Sequence, residues 1–277
     1  MDTDRQNLDL VGRRSFLRLG GAGLAGAALL SACGGTESPG IARVGTAPST
    51  TALPDAVVND GVLLRTAASI ERSVIGLYDT VLDAGLIPSS LTATAERFRD
   101  DHIGHAEALD GLTTELGSEP WLCGNPRIEE LLIPAILTAI LGDEAAGIAA
   151  SDDPTRDVLN TAHVLESLAT ETYQSFVQML STPDLRRAAV TIGADEARHS
   201  SLLALAITGR PAGYLQLEAP ATPPAIPVAL ALPSRFGTLG GLTLVIGAED
   251  EVGLRRSISI DTPSYNTYVY DFLEPSC

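Results

Sequence analysis

Apolar residues recur at three- and four-residue intervals through four long stretches of the chain, the spacing that gives a helix one buried face. The first stretch runs from Asn59 to Ala84 and stops near Gly85. Pro88, Ser89 and Ser90 open the second, which continues to about Leu116 before Gly117. Asp153 followed by Pro154, and Thr182 followed by Pro183, are capping residues with a proline at the first helical position. They predict a third helix to about Leu180 and a fourth that stops at Gly209. The links inside each pair are a few residues long, so each pair predicts an antiparallel hairpin. Between the pairs lie 36 residues, Gly117 to Asp152, with an apolar helical run interrupted by Pro134. That length carries the chain back along the bundle, and the prediction is an all-α core: a four-helix bundle with one long crossover.

The two hairpins match each other. Setting Val62 against Asp157 aligns Leu64 with Leu159, Thr66 with Thr161, Ala67 with Ala162, Glu71 with Glu166 and Tyr78 with Tyr173. In the second helix of each pair, Leu91 falls on Leu185, Asp101 on Asp195, His105 on His199 and Leu109 on Leu203. The shared set of carboxylate, tyrosine, aspartate and histidine predicts two related halves about a pseudo-twofold axis.

Past Gly209 the pattern changes to a Pro-rich run, Pro211 to Pro233, and then to β-branched residues. Thr243 to Ile246 and Ser257 to Ile260 flank an acidic, Gly-containing turn and predict a β-hairpin. Tyr265 to Phe272 reads as a third strand or an extended arm. With few large apolar groups, residues 211–277 predict an extension that packs on the bundle, or else an arm that makes a homodimer.

Composition narrows the function. Hydrophobic residues make up 45% of 277, ample for a core, and the net charge is −17. All 18 basic residues are Arg, with no Lys. Such a balance repels phosphate backbones and argues against nucleic acid as a partner. Gly-x-Ser-x-Gly and phosphate-loop motifs are absent, which argues against hydrolases of those types.

The four histidines all fall in the predicted helices. The fourth helix reads Asp195, Glu196, Ala197, Arg198, His199; Glu196 and His199, three apart, can face one metal in a bundle core. Asp195 is placed to accept the other ring N–H of His199, and Arg198 to pair with a carboxylate. Glu71 and Glu166 supply one carboxylate from each remaining helix. Tyr78 and Tyr173, seven residues further on, lie on the same stripes, and His163 shares the face of Glu166. The acidic residues Glu107, Asp110, Glu115, Asp143, Glu144, Asp152 and Asp157 read as solvated surface, and Glu171, opposite Gly76 in the repeat, is outside the site.

This arrangement resembles the ferritin-like superfamily, whose di-iron members use a lone Glu and a Glu-x-x-His motif in each half. The resemblance covers about residues 57 to 210 and is similar to exported bacterial ferritin-like domain proteins with a C-terminal extension. It implies a metal centre held by Glu71, His105, Glu166, Glu196 and His199. The helical spacing sets Tyr78, Asp101, Tyr173 and Asp195 behind them, with His163 as a further ligand or a supporting donor. The resemblance implies a transition metal, iron first, with manganese or zinc as alternatives. The second helix departs from the pattern: in Asp101, His102, Ile103, Gly104, His105, an imidazole stands where the family has Glu. With His102 as a ligand the centre has three carboxylates where the di-iron pattern has four, which puts oxygen chemistry in doubt and makes a single ion or an asymmetric pair credible.

The first 32 residues read as an address. Arg13, Arg14, Ser15, Phe16 and Leu17 precede a short apolar run from Leu19 to Ala32, too short to span a bilayer. The paired arginines resemble a twin-arginine export signal, and Leu30, Ser31, Ala32, Cys33 resemble a lipobox. Together they imply cleavage before Cys33, lipid attachment to its sulfur, and anchoring on the extracytoplasmic face of the membrane. Residues 33–55 read as a flexible tether, 56–210 as the bundle. Cys123 and Cys277 then remain as an even pair, either a disulfide or two buried thiols. Two functions follow: an anchored metal-binding bundle, oxidising or sequestering metal, or an envelope scaffold with a metal-free bundle.

Overall fold

The computed structural model describes residues 56–209, 242–260, 267–275 and 277. The leader, the tether with Cys33, and the Pro-rich run lie outside the described residues. Helix α1 is Asp60–Asp83 and α2 is Thr92–Glu115. After the crossover, which holds a π-helical turn Ile128–Leu132 and α3, Ile133–Leu141, come α4, Pro154–Met179, and α5, Pro183–Thr208. Strands β1, Leu242–Ile246, and β2, Arg256–Ile260, pair antiparallel with Leu244 opposite Ile258. The chain is thus a mostly helical bundle with a small C-terminal sheet.

The helix ends follow local chemistry. The side chains of Asn59, Asp153 and Thr182 each accept from a backbone N–H in the first turn, at Val62, Arg156 and Leu185. Gly209 closes α5 in a left-handed conformation, φ +67°, where a Cβ would be strained. Helix α2 starts later than Pro88 suggests: Pro88 to Leu91 form a turn, and no side chain caps the helix. Pro134 does not break the crossover helix. The π-helical turn Ile128–Leu132 runs directly into α3, and Pro134 sits just past that junction, where the locally widened turn takes up the ring and the lost N–H.

The C-terminal segment packs on the bundle at two places. Leu244, Ile246 and Ile260 bury against Val164, Leu165 and Leu168 of α4 and Ile136, Ala139 and Ile140 of α3. Burial of each such side chain contributes about 1.5–3 kcal/mol. Beneath them Asp157, expected at the surface, is fully buried. Its Oδ2 accepts from Ser151 Oγ and Gly247 N, both at 2.6 Å, and its Oδ1 from Arg156. The acidic residue is there to receive the hairpin, which its helical position alone does not reveal.

Residues 267–275 form a strap rather than a third strand. Val269 N donates to Thr66 Oγ1 and Asn125 Nδ2 to the Thr267 carbonyl, both at 2.9 Å. Cys123 and Cys277 form a disulfide, with Cα atoms 5.6 Å apart, beside buried Trp121 and Val269. No helix among the described residues is long and apolar enough to cross a membrane.

Candidate metal centre

Four helices deliver six donors to one place. Glu71 comes from α1, His102 and His105 from α2, Glu166 from α4, and Glu196 and His199 from α5. They fall into two overlapping groups, Glu71, His102, His105, Glu196 and His102, Glu166, Glu196, His199, whose donor atoms lie within 4.8 Å of one another in each group. Every one of the six is buried, His105 being the most exposed at 8%.

His102 is central. Its Nδ1 lies 2.6 Å from Glu71 Oε2, and its Nε2 lies 3.2 Å from Glu166 Oε1. His105 Nδ1 approaches Glu196 Oε1 at 2.8 Å, and His199 Nδ1 lies 3.3 Å from Glu166 Oε2. Phe98 stacks on the His199 ring at 4.0 Å between centroids and fixes its plane.

The supporting side chains reach across the molecule. Tyr78 of α1 donates to Glu166 Oε1 at 2.6 Å, and Tyr173 of α4 donates to Glu71 Oε1. Each tyrosine therefore serves the carboxylate of the other hairpin, not the one on its own stripe. The aspartates cross in the same way. Asp195 meets His105 Nε2 at 3.5 Å, and Asp101 meets His199 Nε2 at 3.3 Å. The expected pairing of Asp195 with His199 on its own helix does not form, because His199 turns its Nδ1 edge to the two glutamates and its Nε2 edge to α2. Each aspartate is gripped from outside by an arginine, Arg97 on Asp101 and Arg198 on Asp195.

His163 stands apart from the six. Its Nε2 meets Ser200 Oγ at 3.3 Å, and Ser200 meets Ser167 Oγ, a polar link between α4 and α5. One helical turn before Glu166, it faces α5 rather than the centre. The serines that receive it are unremarkable in the sequence. Glu171 also lies outside both donor groups, yet it is buried, and burial pushes its carboxyl up to about 7.

Burial is the largest influence on every group in the centre, and the partners decide the outcome. It pushes Glu71 up, but His102 and His105 outweigh it and hold Glu71 at about 2. Glu166 is likewise held well below the ordinary carboxylate range by His102 and His199. Glu196 is the exception: burial, with Glu71 and Glu166 nearby, raises it to about 7 despite His102 and His105. Burial opposes protonation of the imidazoles, yet the three carboxylates keep His102 well above its ordinary value and His105 and His199 at about 9.

A metal ion fits this donor set. Both oxygens of Glu196 and Nδ1 of His105 are buried without an aligned hydrogen bond, although His105 Nδ1 and Glu196 Oε1 lie 2.8 Å apart, so buried polar atoms are left incompletely satisfied. Three carboxylates and three imidazoles converge there. A cation among those atoms would satisfy all three orphans at once. A family model described as a ferritin-like domain matches residues 59–209. No curated protein and no solved structure matches the chain.

Proposed function

Taking as premise that the chain belongs to the ferritin-like domain family, we propose that it is an extracytoplasmic, lipid-anchored protein. Its bundle binds transition-metal ions between the two hairpins, in metal oxidation or sequestration. The observation that carries the metal reading is Glu196, a fully buried carboxylate that faces three imidazoles and two further carboxylates and whose nearest partner, His105 Nδ1 at 2.8 Å, is not aligned for a hydrogen bond. The anchored location rests on the sequence, through Arg13, Arg14 and the Leu30 to Cys33 motif.

The roles divide by position. Glu71, His105, Glu166, Glu196 and His199 bind, with His102 between them. Tyr78 and Tyr173 orient the two lone glutamates, and Asp101 and Asp195 fix the ring planes of His199 and His105. A bound transition ion would supply Lewis acidity or one-electron chemistry. The apolar residues around the centre, Val74, Phe98 and Leu203 among them, limit water.

The test is elemental analysis of the purified protein after exposure to iron, manganese and zinc, beside the Glu196→Ala/His199→Ala double variant. Retention of one or two ions, lost in the variant, is expected; no stoichiometric metal from any of the three would refute the reading. For the anchor, labelled fatty acid should enter the protein in its native host and fail to enter Cys33→Ala.

One observation favours the scaffold reading. His102 already bridges Glu71 and Glu166, so much of the centre is neutralised without metal. A bundle of that kind would keep its thermal stability under chelation, whereas the metal reading requires a loss.

A further inference from the structure

We propose that His102 joins two metal positions, one at each ring nitrogen, and that the centre takes two divalent ions of the zinc, cobalt or copper type. The inference rests on the metal reading above and concerns how the ions are held. Two residues belong to both donor groups, His102 and Glu196. Each presents one atom to either side. Nδ1 of His102 faces Glu71 at 2.6 Å, and Nε2 faces Glu166 at 3.2 Å. Oε1 of Glu196 faces His105 at 2.8 Å, and Oε2 faces His199 at 3.7 Å.

One side thus collects Glu71 Oε2, His102 Nδ1, His105 Nδ1 and Glu196 Oε1. The other collects a Glu166 oxygen, His102 Nε2, His199 Nδ1 and Glu196 Oε2. Each side offers two nitrogens and two oxygens, and the internal repeat that matches Glu71 with Glu166 and His105 with His199 exchanges one side for the other. A glutamate in place of His102 would bridge through two oxygens on one carbon; an imidazole bridges through nitrogens on opposite edges of a rigid ring.

The charges also balance. When both nitrogens are metal-bound, the last ring proton leaves to solvent, and the ring carries one negative charge. With Glu71, Glu166 and Glu196 it then neutralises two divalent ions, the same count that four carboxylates give. A two-nitrogen, two-oxygen set suits borderline ions, while all-oxygen sets suit manganese and magnesium.

The metal-free protein is exposed to zinc and counted by elemental analysis, then loaded with Cu(II) for electron paramagnetic resonance. Two zinc ions per chain are expected in the wild type and at most one in His102→Gln, whose amide cannot offer two nitrogens. Coppers sharing one ring couple weakly, so at liquid-helium temperature the wild-type signal should integrate to well under two spins, and one uncoupled copper should appear in His102→Gln. An equal mixture of zinc and manganese should leave mostly zinc bound.

One zinc per chain in both proteins, two in both, or preferential manganese retention would each overturn the bridging assignment while leaving a metal centre in place. No bound metal in the wild type would overturn the centre itself. If His102→Gln fails to fold, the wild-type copper signal at liquid-helium temperature decides, because full two-spin intensity there is incompatible with a shared ring.

Discussion

Glu196→Gln should make the metal-free protein more stable than wild type above neutral pH and less stable once metal is added. The unfolded carboxyl ionises near 4.5 and the folded one near 7, so the folded state resists losing that proton. Below 4.5 both states are protonated and the penalty vanishes. It grows as pH rises from 4.5 to 7 and is complete above 7, where it amounts to about 3 kcal/mol. Gln carries no charge and avoids it. The attraction of His102 and His105 for the anion is already contained in the folded value of about 7, so it is not subtracted again. A stabilisation of about 3 kcal/mol at pH 8 is expected.

Metal reverses the order. Glu196 belongs to both donor groups, so the substitution weakens every position at once. Free metal at 100 times its dissociation constant stabilises the wild type by about 2.7 kcal/mol and the variant by far less. Urea unfolding of both proteins at pH 5 and pH 8, in chelator and in zinc, reads all the terms. A variant less stable than wild type in chelator at pH 8, or a difference unchanged between pH 5 and pH 8, would show that the Glu196 carboxyl is not raised by its burial.

Three further outcomes are expected. Metal affinity should rise with pH up to about 9, since His105 and His199 hold protons to that value when metal-free and must release them; calorimetry in two buffers of different ionisation enthalpy counts the protons, and a flat profile from pH 6 to 9 would contradict it. Tyr173→Phe removes the hydroxyl that donates to Glu71 and should lower metal-free stability by about 1–3 kcal/mol, seen as a lower urea midpoint with an unchanged slope. Cys277→Ser opens the disulfide and should cost about 2–5 kcal/mol, with added reductant producing the same loss in wild type and none in the variant.

The sequence shows the helices and the matched motifs because both are local. Caps at Asn59, Asp153 and Thr182 act within one turn, and Glu196 with His199 is a spacing on one helix. What it hides is which hairpin a side chain serves. Tyr78 lies seven residues beyond Glu71 on one stripe, but a tyrosine is long enough to cross to Glu166, and helical periodicity carries no information about the facing helix. The same blindness assigns Asp195 to His199 by its four-residue spacing and misses His105. Asp157 fails for a different reason: it is one acidic residue in a first helical turn, where solvated carboxylates are common. Only the return of the chain 90 residues later, at Gly247, makes it a buried acceptor.

These crossings change what the polar core does for the fold. Tyr78 to Glu166, Tyr173 to Glu71, His102 to Glu166, Asp101 to His199 and Asp195 to His105 each join one hairpin to the other. Apolar side chains also bridge the hairpins, as Leu63 and Leu64 do with Phe176 and Leu185. Those contacts tolerate small sliding, because dispersion and the hydrophobic effect have little directionality. Hydrogen bonds and ligand atoms do not tolerate it, since they weaken steeply with angle and distance. The centre therefore fixes the register of one hairpin against the other. An ion drawing donors from α1, α2 and α5 on one side, or α2, α4 and α5 on the other, must tighten that register. Metal binding and hairpin docking are on this account one equilibrium: slower amide exchange on loading should appear in the middle turns of α1, α2, α4 and α5 together, rather than in the hairpin that contributes more ligands.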